Sequence, residues 1–242
     1  MVFSGVDYQK ILKEAEKEAD VILWDGGNND FPFLKPKIHI VICDPHRPGH
    51  ELLYYPGETN LRMANLVVIN KVNTAKKENI AAVLNNVKLL NPKAPILLLE
   101  SKITIDRPAK SIKNKTVLVV EDGPTVTHGG MPYGAGFLAA RQFGAKTILR
   151  PQNWATGEIR KTYLQYPNLN YVLPALGYNK KQLENLEKTI NLVPCEAVVS
   201  ATPMDLRRII KIKKPLIQVN YSCKSNKLQN ILLEMLKEKG II

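Results

Sequence analysis

Short apolar runs recur along this chain, each followed by a polar or glycine-bearing turn and then by a helical pattern. We predict strands at residues 21–24, 38–43, 66–69, 96–99, 116–120, 146–149, 197–200 and 216–219. Helices are predicted at residues 8–19, 75–90, 134–143, 157–166, 180–189, 204–210 and 226–239. This alternation is typical of parallel sheets covered by helices. The sequence therefore predicts an α/β fold with mostly parallel sheets and flanking helices.

The stretch 103–115 is polar, contains a proline and lacks periodicity, which is typical of a linker. We therefore predict two α/β units, at residues 1–105 and 106–242. A chain of 242 residues with 45% hydrophobic content is long enough for two such cores. The N-terminus lacks the pattern of a signal peptide and no apolar run is long enough to span a bilayer, so we expect a soluble, cytoplasmic protein.

Basic residues outnumber acidic ones by 34 to 22, which gives a formal net charge of +12. Such an excess attracts anions in general. The low aromatic content of 7% and the lack of a recognition motif argue against nucleic acid. Two readings remain, a lysine-rich solvated surface and a small polyanionic substrate.

In open parallel sheets, ligands collect at the carboxyl ends of strands. The stretch DVILWDGGNND, residues 20–30, ends its apolar run on Asp25, followed by Gly26 and Gly27. A carboxylate there is able to hold Mg²⁺, and the glycines would let a backbone N–H group approach a terminal phosphate. The alternative is an aspartate that caps a turn.

The segment CDPHRPGHE, residues 43–51, follows the next predicted strand and carries Asp44, His46, Arg47 and His50. Its two prolines exclude a helix, so the H-x-x-x-H spacing does not indicate a helical zinc site. Arg47 with two histidines suits recognition of phosphate or carboxylate. A loop with only structural contacts is the alternative.

The segment VVINKVNTA, residues 67–75, places Asn70, Lys71 and Asn73 between a strand and a helix. This arrangement resembles the base-reading N-K-x-D element of P-loop GTPases. Asn73 replaces the aspartate, which leaves guanine selectivity in doubt and adenine open. No glycine is followed directly by lysine in the chain, so a Walker A loop is absent from these residues.

The second half contains TVLVVEDGPTVTHGGMPYGAGFLAA, residues 116–140. A glycine-rich turn that opens a helix is an anion site built from backbone N–H groups. The next predicted strand ends in a basic residue, which suits a polyanion better than NAD. The candidates in this half are Glu121, Asp122, Thr127, His128, Gly129, Gly130 and Arg150.

These motifs together resemble one family. DVILWDGGNNDFPF, DPHRPGHELLYYPGETNLRMAN, NKVNTA, VLVVEDGPTVTHGGMPYGAG, LPALGY, TINLVPCEAVVSATPMDL and KPLIQVNY are similar to cyclic 2,3-diphosphoglycerate synthetase and its archaeal and bacterial relatives, often labelled GTPases. The resemblance runs from about residue 5 to 221. It implies part of a P-loop NTPase-like domain in residues 1–105 and a Rossmann-like, substrate-binding domain in residues 106–242.

The resemblance also implies a ligase that uses ATP, or GTP, with Mg²⁺ to close an intramolecular phosphoanhydride in 2,3-diphosphoglycerate. Catalytic roles would fall to Asp25, His46, Arg47 and His128, and metal binding to Asp25, Glu121 and Asp122. The nucleotide would contact Gly26, Gly27, Asn70, Lys71 and Asn73. The acceptor would contact Asp44, His50, Arg62, Thr127, Gly129, Gly130 and Arg150. Alternatives are a regulatory or metal-insertion GTPase and a non-catalytic anion-binding subunit.

The chain departs from that family in one respect. Family members carry a long N-terminal region with a Walker A loop, and MVFSGVDY aligns inside the downstream part. We expect either an excised fragment or, preferably, one product of a split gene. In both cases we expect a Walker A-bearing partner, an oligomer, exposed apolar surface at a sheet edge and no activity from the isolated chain.

Overall fold

A computed structural model describes residues 1–27 and 30–242 of the protein. The fold is α/β, with parallel sheets flanked by helices. The chain divides into two compact units. Unit 1 comprises Met1–Ser101 and Cys223–Ile242, and unit 2 comprises Lys102–Ser222. Asn28 and Asn29 of the DVILWDGGNND stretch lie outside the described residues.

Unit 1 is built on a sheet of three parallel strands in the order β1-β2-β3. The strands are β1 (Ile40–Cys43), β2 (Leu66–Ile69) and β3 (Ile96–Leu98). The helices of this unit are α1 (Tyr8–Ala15), α2 (His50–Leu53), α3 (Gly57–Met63), α4 (Lys77–Leu90) and, from the end of the chain, α9 (Asn226–Glu238).

Helices pack on both faces of the unit 1 sheet, although Ile40 and Ile42 of β1 remain exposed on one face. Alternate residues of a strand point to opposite faces. Val67 and Ile69 of β2 pack in one cluster with Val83 and Val87 of α4, whereas Leu66 packs in another cluster against apolar residues of α9. This burial explains why β2 is an unbroken apolar run rather than an alternating one.

Unit 2 contains a six-stranded sheet in the order β4-β9-β8-β5-β6, with β7 also paired to β5. Its strands are β4 (Lys102–Ile105), β5 (Thr116–Asp122), β6 (Thr147–Ile148), β7 (Leu173–Ala175), β8 (Ala197–Ala201) and β9 (Leu216–Ser222). Its helices are α5 (Gly123–Thr127), α6 (Ala135–Gln142), α7 (Gly157–Gln165) and α8 (Lys180–Leu192), with 3₁₀ turns at Ala109–Ser111, Pro151–Trp154 and Leu206–Arg208. Every strand pair is parallel except β4 with β9 among the described residues.

The structure corrects three of the local predictions. Residues 21–24 form no strand in the described structure, and the side chain of Leu23 is 90% exposed, because an apolar run becomes a strand only where a neighbour pairs with it. The predicted linker 103–115 begins inside β4, which is held by the distant β9. The predicted helix 204–210 is only a 3₁₀ turn, in which the Asp205 carboxylate accepts the Arg207 N–H.

The assignment of the C-terminal residues to a unit differs from the predicted division into two domains. The prediction assigned all of residues 106–242 to one domain, whereas α9 belongs to unit 1. The apolar face of α9 explains its position, because it covers β2 and β3. The P-loop NTPase-like and Rossmann-like assignments of the two units stay predictions. In the part of the chain that the structure describes, no helix has the length and apolar character needed to cross a bilayer.

The buried side chain of Asn91 connects the end of α3 to the turn that follows α4. The side-chain nitrogen of Asn91 donates to the carbonyl oxygens of Leu61 and Ala64, each at 2.9 Å, and its oxygen accepts the Ala94 N–H at 3.2 Å. Asn91 is only 9% exposed, so no solvent would replace these partners. The residue therefore satisfies backbone groups at the ends of both α3 and α4.

We predict that Asn91→Ala lowers the free energy of unfolding by about 2 kcal/mol, because buried carbonyl groups lose their donor. Equilibrium urea unfolding measures the change. The matched control is Asn85→Ala on the exposed side of α4, where alanine should be neutral or slightly stabilising. Equal stability of the two variants would contradict the role assigned to Asn91.

Candidate functional site

The ends of β1 and β2 bring the two most polar loops of unit 1 together. The register pairs Cys43 with Ile69, so the two strands end at the same level. The Asn70 N–H donates to the Cys43 carbonyl oxygen at 3.1 Å, which extends the pairing by one residue. Asp44 and Lys71 follow directly in the two loops. The two loops therefore meet at the carboxyl edge of the sheet, which brings Lys71, predicted for the nucleotide, against Asp44, predicted for the acceptor.

Asp44 is the centre of an ion cluster. Its Oδ2 atom lies 2.6 Å from Lys71 Nζ and 3.3 Å from Arg47 Nη2, and its side chain is only 14% exposed. Burial raises the pKa of Asp44, but Lys71, the His46 N–H and Arg47 favour the carboxylate more strongly, so the pKa is lowered. Asp44, Lys71 and Arg47 by themselves carry one surplus positive charge, and the carboxylate of Glu51 lies near enough to act on His50 and Cys43.

Lys71 reaches Asp44 from an uncommon backbone conformation. Its φ angle is +60°, in the left-handed region that side chains larger than glycine rarely occupy. The loop holds this conformation because Asn70 Oδ1 accepts the Lys71 N–H at 2.8 Å and the Lys71 carbonyl oxygen accepts the N–H groups of Thr74 and Ala75. The strain is thus compensated by hydrogen bonds at the point where the ammonium group is aimed at Asp44.

His46 joins the same cluster through its ring and its backbone. Its Nε2 atom lies 2.9 Å from Thr74 Oγ1, and its N–H donates to Asp44 Oδ1 at 3.0 Å. Burial lowers the pKa of His46, so the neutral imidazole is favoured near pH 7. Thr74 lies in the loop before α4, which begins at Lys77, and its hydroxyl group positions His46. Its role as a partner of the cluster had no signal in the sequence.

The side chains of Arg47 and His50 differ in the contacts that they make. Arg47 Nε is buried and has no hydrogen-bond partner among the described residues, although Nη2 contacts Asp44. His50 begins the short helix α2 and packs its ring 4.7 Å from that of Tyr54. His46 lies before that helix, as the two prolines predicted, so the two histidines do not form a helical metal-binding pair. A ligand oxygen or a water molecule would satisfy this donor.

The side chains of the N-K-x-N element, residues 70–73, stabilise the loop in which they lie. Both functional groups of Asn73 are engaged by one residue: its nitrogen donates to the Ser101 carbonyl oxygen at 3.1 Å, and its oxygen accepts the Ser101 N–H at 3.0 Å. The side chains of Asn70 and Lys71 are engaged as well, as described above. A purine-reading role for the three residues stays a prediction, and it would require these contacts to be exchanged for contacts to a base.

Asp25 does not join the Asp44 cluster in any described contact. It is exposed and lies in a segment without strand structure. Gly26 is needed for a local reason, because a Cβ atom there would lie 2.3 Å from the Trp24 ring. Gly27 accepts the Asp30 N–H at 2.9 Å. The nucleotide and metal roles of Asp25, Gly26 and Gly27 stay predictions.

A metal site built from side chains alone would need several ligating groups close together. Across residues 1–27 and 30–242, no group of three or more histidine, cysteine, aspartate or glutamate side chains is placed to hold a metal ion. Asp44 is already paired with two cations, and Asp25 stands alone and exposed. Mg²⁺ often relies on one or two carboxylates plus substrate phosphates, so any site here would depend on a bound nucleotide.

In unit 2, the glycine-rich turn before α6 is occupied by the protein's own carboxylate. Glu121 Oε1 accepts the N–H groups of Gly134 at 3.0 Å and Phe137 at 2.9 Å. A Cβ atom at Gly134 or Gly136 would lie 2.6 Å or 3.1 Å from this carboxyl group. The G-x-G pattern thus admits Glu121 to the helix N-terminus, and those N–H groups are not open to an external anion. Metal binding by Glu121 stays a prediction.

The loop after β5 is organised by short-range contacts. Thr125 Oγ1 donates to Asp122 Oδ2 at 3.2 Å, and Thr127 Oγ1 lies 3.1 Å from His128 Nδ1. Gly130 has a φ angle of +63° and open space around it, which suits a turn. Gly129 donates its N–H to the Pro124 carbonyl oxygen at 3.1 Å. Asp122 thus contacts Thr125, and Thr127 contacts His128; the substrate and metal roles of Asp122, Thr127 and His128 stay predictions.

The two remaining predicted arginines already have partners. Arg62 donates to Glu58 Oε1 from Nε at 2.9 Å and from Nη2 at 2.6 Å, on the exposed side of α3. Arg150 donates to the Tyr171 hydroxyl group at 2.7 Å, with its guanidinium 4.8 Å from the centre of that ring. Binding of a substrate by either arginine stays a prediction and would compete with these contacts.

Two named proteins are similar to this chain. The chain is 52% identical over 240 residues to the arginine synthetase ArcE of Thermococcus kodakarensis, which is 98% of this chain and 53% of that protein. It is 29% identical over 116 residues to the cyclic 2,3-diphosphoglycerate synthetase of Thermococcus sibiricus, which is 48% of this chain and 26% of that protein. The chain spans about half the length of the first relative and about a quarter of the second. No family model matches the chain.

These relatives refine the resemblance drawn from the motifs. Both are archaeal proteins with synthetase names, which supports the predicted ligase class. The cyclic 2,3-diphosphoglycerate synthetase covers only part of the expected span, whereas the arginine synthetase covers nearly the whole chain. The homologues therefore agree on a synthetase and differ in the product that their names give.

We predict a pH-dependent stability that originates at Glu121. Burial raises the pKa of Glu121 to about 7 from an ordinary value of 4.5. Because the folded-state pKa is the higher one, this contribution to stability is complete below pH 4.5 and is lost as the pH rises through about 7. At about 1.4 kcal/mol per pH unit, the loss is on the order of 3 kcal/mol.

Thermal unfolding at about pH 5 and about pH 8 tests this expectation. Glu121→Gln keeps an oxygen acceptor for Gly134 and Phe137 but cannot ionise, so its unfolding temperature should fall less between the two conditions. Glu184→Gln on the exposed side of α8 is the matched control and should behave as the wild type does. A Glu121→Gln profile parallel to that of the wild type would show that Glu121 does not titrate in the folded state near pH 7.

Proposed function

We propose that this chain provides the anion-binding part of an ATP-dependent synthetase, which transfers the γ-phosphoryl group of ATP to its substrate and releases ADP and phosphate. The observation that carries the proposal is the Asp44, Lys71 and Arg47 cluster. It has one surplus positive charge and a buried arginine donor with no acceptor among the described residues, at the sheet edge where α/β proteins bind ligands. The synthetase names of the relatives supply the reaction class.

One chemical scheme serves both products named for the relatives. An oxygen atom of the acceptor attacks the γ-phosphorus of ATP, the bond to the β-γ bridging oxygen breaks, and ADP leaves with that electron pair. A second nucleophile then attacks the activated centre and phosphate leaves. Positioning and charge neutralisation dominate such transfers, so donors held in place before the substrate arrives are the useful contribution of a protein.

The acceptor that we favour is a ureido amino acid such as citrulline, which differs from arginine by one oxygen in place of one nitrogen. After phosphorylation of the ureido oxygen, ammonia would attack the carbon, lose a proton and displace phosphate to give arginine. The support is the 52% identity over 98% of the chain. The second candidate is 2,3-diphosphoglycerate, in which a neighbouring phosphate would displace phosphate to close the ring. It is supported by the 29% identity over 116 residues.

We assign roles only to side chains that the structure brings together. Lys71 and Arg47 would bind phosphoryl oxygens, because their donors are concentrated around one carboxylate. Asp44 is a positioning residue that holds both cations. His46, kept neutral by burial and oriented by Thr74, would donate or accept one hydrogen bond at the same edge. Mg²⁺ would accompany the nucleotide, and no role in the reaction is assigned to it here.

The proposal includes a partner region. Phosphate-binding loops of the Walker A type need a Gly-Lys pair, which these 242 residues lack. We propose that this loop comes from another chain or from another region of the same protein. That region would bind the nucleotide, and unit 1 would add the cluster at the carboxyl edge of its sheet.

Reconstitution tests the proposed function. The chain is combined with a Walker A-bearing region from the same genome, in separate reactions with citrulline plus ammonium and with 2,3-diphosphoglycerate. ³¹P NMR follows the nucleotide, phosphate and any cyclic product, and chromatographic amino-acid analysis follows arginine. Each reaction is run with ATP and with GTP. We expect ADP, phosphate and arginine to form together from citrulline. If product formed in the reaction with 2,3-diphosphoglycerate and not in the reaction with citrulline, the second candidate would be the acceptor. Nucleotide hydrolysis that neither acceptor stimulates would reject the synthetase proposal.

We predict that Arg47→Ala and Lys71→Ala each lower kcat/KM of the reconstituted enzyme by about a hundredfold, because each removes a cation from the phosphoryl group. Arg160→Ala and Lys88→Ala remove the same charges at exposed helix positions and should leave kcat/KM unchanged. Steady-state kinetics of the reconstituted enzyme give these values. If the cluster variants were as active as the controls, the phosphoryl group would not bind at the Asp44 cluster.

A further inference from the structure

Unit 1 has a concave surface at the edge of its sheet opposite the Asp44 cluster. A cavity of about 880 Å³ is lined in part by His39 and Asn65, which directly precede β1 and β2. Because the strands are parallel, these positions lie at the amino edge, whereas Asp44 and Lys71 lie at the carboxyl edge. The volume is within the range of small-molecule sites, about 300–1,000 Å³. The proposed reaction does not use this cavity, although Phe31, Phe33 and Asn65 of the quoted motifs line it.

Aromatic rings form part of the cavity wall and are held before any ligand arrives. Phe33 stacks on Tyr8 with ring centres 4.0 Å apart, and Phe31 packs edge-on against Tyr55 at 5.6 Å. Both phenylalanines remain accessible, at 39% and 43% exposure. Rings already fixed by neighbours lose little freedom when a ligand packs on them. The wall therefore favours a flat or apolar ligand body.

The charge of the cavity is of one sign. Lys35, Lys37 and Lys239 line it, and no aspartate or glutamate does. None of the three lysines forms an ion pair with an acid within residues 1–27 and 30–242. Three ammonium groups around one space repel each other, and an anion between them relieves that repulsion. Phosphate or several carboxylates on the ligand would supply this charge.

We propose that this cavity binds an organic polyanion with a flat ring system, of the mononucleotide class, as an effector separate from the reaction at the carboxyl edge. The ring would pack against Phe31 and Phe33, and the phosphate would meet Lys35, Lys37 and Lys239. Two hydrogen bonds fix His39 and Asn65 relative to each other at the start of β1 and β2. The His39 N–H donates to Asn65 Oδ1 at 2.8 Å, and the Asn65 N–H donates to the His39 carbonyl oxygen at 2.7 Å. The proposal does not depend on which reaction unit 1 serves.

Isothermal titration calorimetry of the full chain tests the proposal with AMP, adenosine and pyrene trisulfonate, a flat aromatic trianion. We expect AMP and the trisulfonate to bind and adenosine to bind at least about tenfold more weakly than AMP, because charged hydrogen bonds are lost. Lys35→Gln/Lys37→Gln should raise the Kd of AMP by at least about tenfold. The changed lysines are exposed, so the unfolding temperature of the variant should equal that of the wild type.

Two controls locate the binding. Lys180→Gln/Lys181→Gln makes the same charge change at exposed positions of α8 and should leave the Kd of AMP unchanged. Lys71→Gln alters only the carboxyl edge and should also leave it unchanged. The proposal is overturned if neither anion binds at millimolar concentration, if adenosine binds as tightly as AMP, or if Lys71→Gln weakens AMP while Lys35→Gln/Lys37→Gln does not. Loss of AMP binding in the α8 control would also overturn it.

Discussion

The ion pair between Asp44 and Lys71 is the interaction on which the candidate site depends. It connects the loops after two neighbouring strands at a distance of 2.6 Å, through a lysine whose left-handed backbone conformation is held by the hydrogen bonds of its own loop. An exposed ion pair would contribute little, but this carboxylate is mostly buried, and removing Lys71 would leave it with only the longer contact to Arg47, at 3.3 Å. The pair therefore fixes the loops and concentrates positive charge in one place.

Unit 2 uses a carboxylate in the opposite way. Glu121 turns inward and satisfies the N-terminus of α6, whereas Asp44 faces two cations at the edge of a sheet. Both acids follow or end an apolar strand, so they look alike in the sequence. Their surroundings decide the outcome: two backbone N–H groups and deep burial for Glu121, and a lysine and an arginine for Asp44. One arrangement stabilises a fold, and the other leaves a positive surplus that a phosphate would neutralise.

The sequence predicted the buried strands well and the isolated ones poorly. The β2 run at residues 66–69 matches its prediction because continuous burial on both faces leaves a strong pattern. Residues 21–24 have a similar composition but no partner, and β4 depends on a strand more than a hundred residues away. Pairing over such distances leaves no local signal, so these two features could not be read from composition or spacing.

The same distinction explains the candidate site. The sequence predicted four site residues in the loops that follow β1 and β2: Asp44, His46, Arg47 and Lys71. In the structure these residues lie in one cluster. Their partners were not predicted: Lys71 contacts Asp44 rather than a free purine pocket, and Asn73 is engaged by Ser101, 28 residues away. A motif specifies the shape of its own loop, but the fold determines which loop lies opposite.

The most direct test of the central claim is the pKa of Asp44, measured by ¹³C NMR with only this chain labelled in the reconstituted protein. Without ligand, Lys71 and Arg47 should hold this pKa below its ordinary value. Saturation with ATP should raise it, because a phosphate then shares the two cations and repels the carboxylate. A pKa of Asp44 that does not change when ATP binds would place the phosphates elsewhere and contradict the account.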